Sequence, residues 1–236
     1  MSDTLSRRTT GSRLEHGVRH QLKNLVQRAN QVPNTYRDGV HRLYQREGAG
    51  RPPRVRWAFE EAGAPYEYVV MDSELGRGEE HAHRHPLGRV PVLESDDGLL
   101  FESAALCLHV ADLNPGAGLI PPVGTHERAQ VYQWTLFAMT ELEQSMQRAA
   151  TARRGTDADA TAKAEARLTK TFAVLGAALE GKSYLVDDRF TIADVVVGGV
   201  CESARKYDLL PESGRVRAYL EELDTRPAKQ RAYDTP

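Results

Sequence analysis

Leu14, Val18, Leu22, Leu25 and Val26 recur every three or four positions, the spacing of one helical face. The Asn30 to Asn34 stretch, with Pro33 inside it, ends that pattern. His41 to Gln45 then reads as a short strand, and Gly48-Ala49-Gly50 as a turn. Pro52-Pro53 opens a helix, because proline suits a first turn whose N–H groups have no intrahelical acceptor. Val55, Ala58, Phe59 and Ala62 form the apolar face of that helix, and Gly63 with Pro65 stops it. Tyr66 to Met71 is β-branched and aromatic, a second strand. Residues 73–86 are polar and predict a loop with one helical turn. Val90 to Leu93 and Leu99 to Phe101, joined through Ser95-Asp96-Asp97-Gly98, predict a hairpin. A helix begins at about Ser103, with Leu106, Val110 and Leu113 on one face and Asn114-Pro115-Gly116 at its end. The order is strand, helix, strand, loop, hairpin, helix, a mixed unit of the size of a thioredoxin-like domain.

After Ile120-Pro121-Pro122-Val123-Gly124, which reads as a linker, the pattern is helical throughout. Val131, Trp134, Ala138 and Leu142 mark one helix, and Thr151 to Asp159 is a polar break. Leu168, Phe172, Leu175 and Leu179 mark the next, closed by Gly181. Another starts at Thr191 and carries Gly198-Gly199, small residues that permit close helix contact. Val216, Leu220 and Leu223 mark the last clear helix. No internal repeat is visible.

Length and charge narrow the picture. The chain has 236 residues, comfortable for two small domains, and 40% of them are apolar. A net charge of -2 excludes the strong basic excess of a dedicated nucleic-acid binder. Residues 1–40 are nevertheless basic, with Arg7, Arg8, Arg13, Arg19, Lys23, Arg28 and Arg37 against Asp3, Glu15 and Asp38. This extension has several readings: a helix packed on the body or on a partner subunit, a disordered tail, a transit peptide or a membrane-surface helix. No apolar run approaches the ~20 residues that span a bilayer, and no secretory signal is visible. Cys107 and Cys201 both fall in helical patterns, which argues against a disulfide framework and for a reducing, cytoplasmic location.

Four segments then resemble one family. His85-Pro86-Leu87-Gly88-Arg89-Val90-Pro91-Val92-Leu93 with Phe101-Glu102-Ser103-Ala104-Ala105 resembles the glutathione-binding segment of glutathione transferases. Arg54 to Glu67 resembles their first helix and second strand, and Tyr184-Leu185 through Phe190-Thr191-Ile192-Ala193-Asp194 their helical-domain capping motif. Arg226-Pro227-Ala228 resembles the end of their last helix. The pieces stand in the family's order across residues 41–232. The resemblance implies a thioredoxin-like glutathione-binding domain over 41–119, an all-α domain over 125–236, glutathione as co-substrate with no metal, and a homodimer.

The residues suit that chemistry. In the family the proline at position 91 is cis, which would leave the Val90 backbone free to pair with an extended peptide such as glutathione. Glu102-Ser103 lies where a strand meets a helix N-terminus, a place that favours anions. Ser103 can bond the γ-glutamyl carboxylate and Glu102 the γ-glutamyl amino group, or Ser103 can be an N-cap alone. Arg89 is a candidate for a peptide carboxylate. Thr191 and Asp194 form a capping box, with Phe190 and Val195 as its hydrophobic staple. The family often has glycine where this chain has Asp187.

Catalysis requires the thiolate, and family members aim a Tyr, Ser or Cys at the sulfur from the segment after the first strand. Here Leu43 to Arg51 contains neither Ser nor Cys. Gln45 falls where tyrosine-type members carry their tyrosine, and Tyr44 is one residue early, a step that reverses the face of a strand side chain. Tyr44 is therefore a catalytic candidate or a partly buried strand tyrosine. Gly48-Ala49-Gly50-Arg51 resembles the glycine-arginine turn of tyrosine-type enzymes and makes Arg51 the candidate for thiolate stabilisation. Trp134, Phe137 and Met139 are candidates to face a small hydrophobic electrophile, or else core. Three functions are compatible with these residues: a glutathione transferase of that electrophile, a non-catalytic relative that binds ligands or partners, and the same fold using another low-molecular-weight thiol.

Overall fold

The computed structural model describes residues 41–71 and 79–234. The expectations for residues 1–40 lie outside this range. The first part is β1 (His41–Arg46), α1 (Pro52–Ala62), β2 (Tyr66–Met71), α2 (Glu79–Arg84), β3 (Val92–Ser95), β4 (Gly98–Phe101) and α3 (Ser103–Leu113). The strands form one sheet in the order β2-β1-β3-β4. β1 pairs parallel with β2 and antiparallel with β3, and β3 pairs antiparallel with β4. A βαβ unit joined to a hairpin is the thioredoxin-like arrangement expected from the sequence. β3 begins two residues later than expected, after Pro91, which has no N–H for the ladder.

β1 shows why the sheet has two unlike faces. Leu43 is buried in the main core with Val55, Phe59 and Leu106 of the covering helices. Tyr44, one residue on, joins Met71, Val90 and Val92 in a second cluster on the opposite face.

α1 opens with Pro52-Pro53 and ends at Gly63, whose φ of 62° is left-handed. It buries more than its expected face, because Arg54 and Trp57 are also at 0% exposure. The sheet covers one side and the helices of the second part the other. Trp57 sits among Phe190, Tyr233 and the Lys229 ammonium, with ring centroids at 6.0 and 6.3 Å and the ammonium at 5.5 Å. Full burial of a side chain such as Phe59 stabilises by roughly 2–3 kcal/mol.

The second part is helical: α4 (His126–Phe137), α5 (Glu143–Ala152), α6 (Ala158–Ala178), α7 (Ile192–Lys206), α8 (Arg215–Asp224) and α9 (Pro227–Tyr233). The helix expected through Leu142 is interrupted by a π-helical turn over Ala138–Leu142. Val131, Trp134, Ala138 and Leu142 are nonetheless all buried. The Arg226-Pro227-Ala228 segment does not end the last helix. Pro227 starts α9, which packs back on α1 through Arg226 to Glu61 (2.6 and 2.8 Å) and Arg231 to Glu60 (2.6 Å).

α7 is the central helix, buried from Ile192 to Cys201. Asp194 accepts the Thr191 backbone N–H at 2.8 Å, the reciprocal arm of the capping box. The glycine pair does bring helices together: a Cβ on Gly198 would lie 2.8 Å from Leu223, and one on Gly199 would lie 2.9 Å from Arg54. No described helix is long and apolar enough to cross a membrane.

Candidate functional site

The segment before β3 is shaped from several sides. The Val90–Pro91 bond is cis. The His81 ring contacts the Arg89 carbonyl through Nε2 at 3.1 Å, and because a carbonyl only accepts, that nitrogen carries the proton. Arg46 donates to the Gly88 carbonyl at 3.4 Å, and the Leu87 N–H donates to His85 Nδ1 at 3.0 Å. Burial pushes both histidines below their usual range, so both favour the neutral ring. Val90 makes no backbone hydrogen bond outside the strand ladders among the described residues, and Pro91 is buried beside it. Arg89 is exposed.

The next element is the start of α3. Glu102 precedes α3 with φ 73° and ψ 105°, a positive-φ conformation that costs a non-glycine residue about 1–3 kcal/mol. Its side chain is exposed. Ser103, the first residue of α3, is only 1% exposed, and its hydroxyl has no partner in the structure. A buried hydroxyl without a partner is uncommon, because it loses water and gains nothing in return. Here it stands beside the free N–H groups of a helix start.

Tyr44 and Arg51 are placed differently. Tyr44 is 7% exposed, and its hydroxyl donates to Glu94 at 2.5 Å. The Arg84 guanidinium lies 4.5 Å over its ring. Burial first, and then the Glu94 carboxylate, push the phenol above its ordinary value. Its hydroxyl is thus engaged by Glu94 on the sheet face away from the main core. Gln45, on the alternate face, is 4% exposed.

Arg51 occupies the N-cap position of α1 without a side-chain capping bond, and it donates to Glu143 through Nε at 3.2 Å and Nη2 at 3.0 Å. Arg54 reaches the same carboxylate at 3.3 Å and donates to Met139 Sδ at 3.2 Å. Trp134 is 8% exposed with Phe137 against it at 5.4 Å, so the core reading holds for Trp134. Burial raises both cysteine thiols to about 12, which removes them as nucleophiles.

Sequence reasoning missed His81, Arg54 and Glu143. Arg54 sits one helical turn before Trp57 and Ala58, so a charge at a core-facing position was its signal. Glu143 carried none, because the π turn that aims it breaks the helical period.

A thioredoxin-like sheet with a cis-proline loop, a helix start that buries an unpartnered hydroxyl and an appended helical bundle define a class of two-part thioredoxin-like proteins. The family model of the glutathione S-transferase N-terminal domain matches residues 40–112, and that of the C-terminal domain matches residues 128–227. The chain is 30% identical over 186 residues to a probable glutathione S-transferase of rice, Oryza sativa subsp. japonica, covering 73% of this chain and 86% of the relative. It is 36% identical over 129 residues to elongation factor 1-gamma of Trypanosoma cruzi, which spans 52% of this chain and 31% of that protein. Among solved structures it is similar to a glutathione transferase from Methylococcus capsulatus, at 30% identity and a TM-score of 0.72, covering 82% of this chain and 97% of that one. The chain belongs to the glutathione S-transferase family.

Proposed function

We propose that this chain joins the glutathione thiolate to a small hydrophobic electrophile. The observation that carries the reading is the buried, unpartnered Ser103 hydroxyl at the start of α3. In this reading the γ-glutamyl carboxylate takes that hydroxyl and the helix N–H groups, and Glu102 takes the γ-glutamyl amino group. The cysteinyl backbone pairs with Val90 beside Pro91, and Arg89 approaches a peptide carboxylate. The thiol gives its proton to solvent, and Arg51 holds the resulting thiolate by charge. The sulfur then bonds to the electrophilic carbon, with loss of a leaving group or opening of an epoxide. Phe137 of the helical domain faces the electrophile. A cytoplasmic homodimer completes the proposal, supported by exposed Leu99, Leu100 and Phe101 on edge strand β4.

Calorimetry with glutathione and a pH titration of the thiolate absorbance test it. Binding with a thiolate well below pH 8 and turnover of an aromatic halide are expected; a free thiol titrates near ~8.5. Arg51→Ala is expected to lower turnover with little loss of binding, and unchanged turnover removes Arg51 from the mechanism. No binding of glutathione, with binding of another small thiol, moves the site to that thiol.

A second reading is a non-catalytic ligand-binding or interaction protein. It is favoured by the commitment of the Tyr44 hydroxyl to Glu94 and by the absence of Ser or Cys from Leu43 to Arg51. Binding without a thiolate is its signature.

A further inference from the structure

The start of α1 is poor in donors. Pro52 and Pro53 occupy its first two positions, and neither has an N–H. A helix N-terminus ordinarily draws anions through its free N–H groups, so two of them are missing beside the β1–α1 turn. Attraction for an anion at this turn falls on side chains instead.

Two guanidinium groups stand there, and both reach one carboxylate from the helical domain. Arg51 meets Glu143 with two N–H groups, at 3.2 and 3.0 Å, and the buried Arg54 meets it at 3.3 Å. Glu143 is 2% exposed and Arg54 0%, while the Arg51 side chain keeps 28% of its surface. The three groups sum to one positive charge, and Arg51 presents it to solvent. Glu143 is the first residue of α5, directly after the π turn over Ala138–Leu142. A π turn inserts one residue into a helix and so rotates the side chains beyond it, and such turns concentrate at functional sites. The same turn supplies Met139, whose sulfur accepts from Arg54.

We propose that Glu143 is a positioning residue for thiol activation: from the helical domain it clamps the Arg51 guanidinium in both N–H directions and holds its charge at the β1–α1 turn. This rests on the assignment of Arg51 to the thiolate. A guanidinium already fixed needs no reorganisation when the anion forms, whereas an exposed arginine on a free stem is hydrated and scattered over rotamers. The buried Arg54 offsets the carboxylate so that the clamp does not cancel the charge it holds.

The sign of one shift separates this role from a merely electrostatic one. Removal of an opposing negative charge makes the bound thiol a stronger acid. Removal of a clamp makes it a weaker one. The experiment is the pH titration of glutathione thiolate absorbance on wild-type protein, Glu143→Gln, Arg51→Gln and the double variant, with calorimetric affinity measured alongside. Glu143→Gln is expected to raise the midpoint by about one pH unit, with affinity for glutathione retained. The shift is expected to vanish when Arg51 is already glutamine. An unchanged or lowered midpoint in Glu143→Gln overturns the proposal. Glu143→Asp retains the charge beside Arg54 and shortens the reach to Arg51, so it serves if the glutamine variant does not fold, and it is expected to raise the midpoint too. Failure of the underlying assignment looks different. Wild-type protein that binds glutathione without a thiolate, or Arg51→Gln with an unmoved midpoint, ends the role of Arg51 and this inference with it.

Discussion

Ser103 and Tyr44 are both buried hydroxyls, and their partners set them apart. The Ser103 hydroxyl has none, so its removal leaves nothing unsatisfied in the protein. Ser103→Ala is expected to leave the melting temperature in place while weakening glutathione binding about tenfold, the loss of one hydrogen bond to a charged group. Unchanged affinity in calorimetry would place the γ-glutamyl group elsewhere. The Tyr44 hydroxyl is held by Glu94. Tyr44→Phe is expected to leave the glutathione thiolate titration and turnover unchanged within about twofold, whereas loss of an activating hydroxyl would cost about 10²–10³ in rate. The neighbouring acid Glu94 loses a donor in that variant, so a modest fall in stability accompanies it.

Among the elements, α7 carries a fully buried carboxylate in its first turn. The Asp194 carboxylate, at 0% exposure, accepts from the N–H groups of Leu185 and Thr191 and from the hydroxyls of Thr191 and Tyr219, at 2.8 to 3.2 Å. Burial pushes its pKa up to about 6 against those four donors. A carboxyl raised above its unfolded value binds its proton more tightly in the folded state. Its contribution to stability is thus fully present below about pH 4 and lost as pH rises through about 6. Denaturant unfolding of wild type and Asp194→Asn across this range checks it. The stability difference is expected to move in favour of the variant by on the order of 3 kcal/mol between pH 4 and 7. A difference independent of pH would mean that the donors outweigh burial. The loop before α7 explains the departure at Asp187. Asp187 and Asp188 adopt φ of 50° and 49°, so the chain makes without glycine a left-handed turn that glycine enters freely. Asp188 compensates by accepting the N–H groups of Ser183 and Tyr184, at 2.6 and 3.1 Å.

On the scale of the molecule, α1 is the shared wall of the two parts. The sheet packs on it through Phe59, and α7 and α9 pack through Trp57, Arg54 and Glu61. This is why residues far apart in sequence, such as Arg51 and Glu143, meet at the β1–α1 turn. The outer edge of the sheet is less covered. Leu99, Leu100 and Phe101 are each 40–42% exposed on β4, which has no strand beyond it among the described residues. An apolar edge of this kind invites a second copy. Sedimentation is expected to show a dimer of the 26.2 kDa chain, and Leu100→Lys is expected to shift it toward monomer while circular dichroism stays constant. A monomeric wild-type protein would refute the dimer.

The order of elements was legible in the chain itself, because the β-branched and aromatic run at Tyr66 to Met71 and the period of three to four at Leu168 to Leu179 reflect local geometry alone. The same holds for stops such as Gly63 and for the Thr191–Asp194 box, whose partners lie within four residues. The four family segments were legible because order and spacing survive in one dimension. The face on which Tyr44 points, the partners of Arg51 and the burial of Arg54 were not. Each depends on which element packs above a given residue, and that is decided by contacts across nearly a hundred positions, as between Arg51 and Glu143. The π turn that aims Glu143 breaks the period on which sequence reading relies, and only the packed helices reveal it.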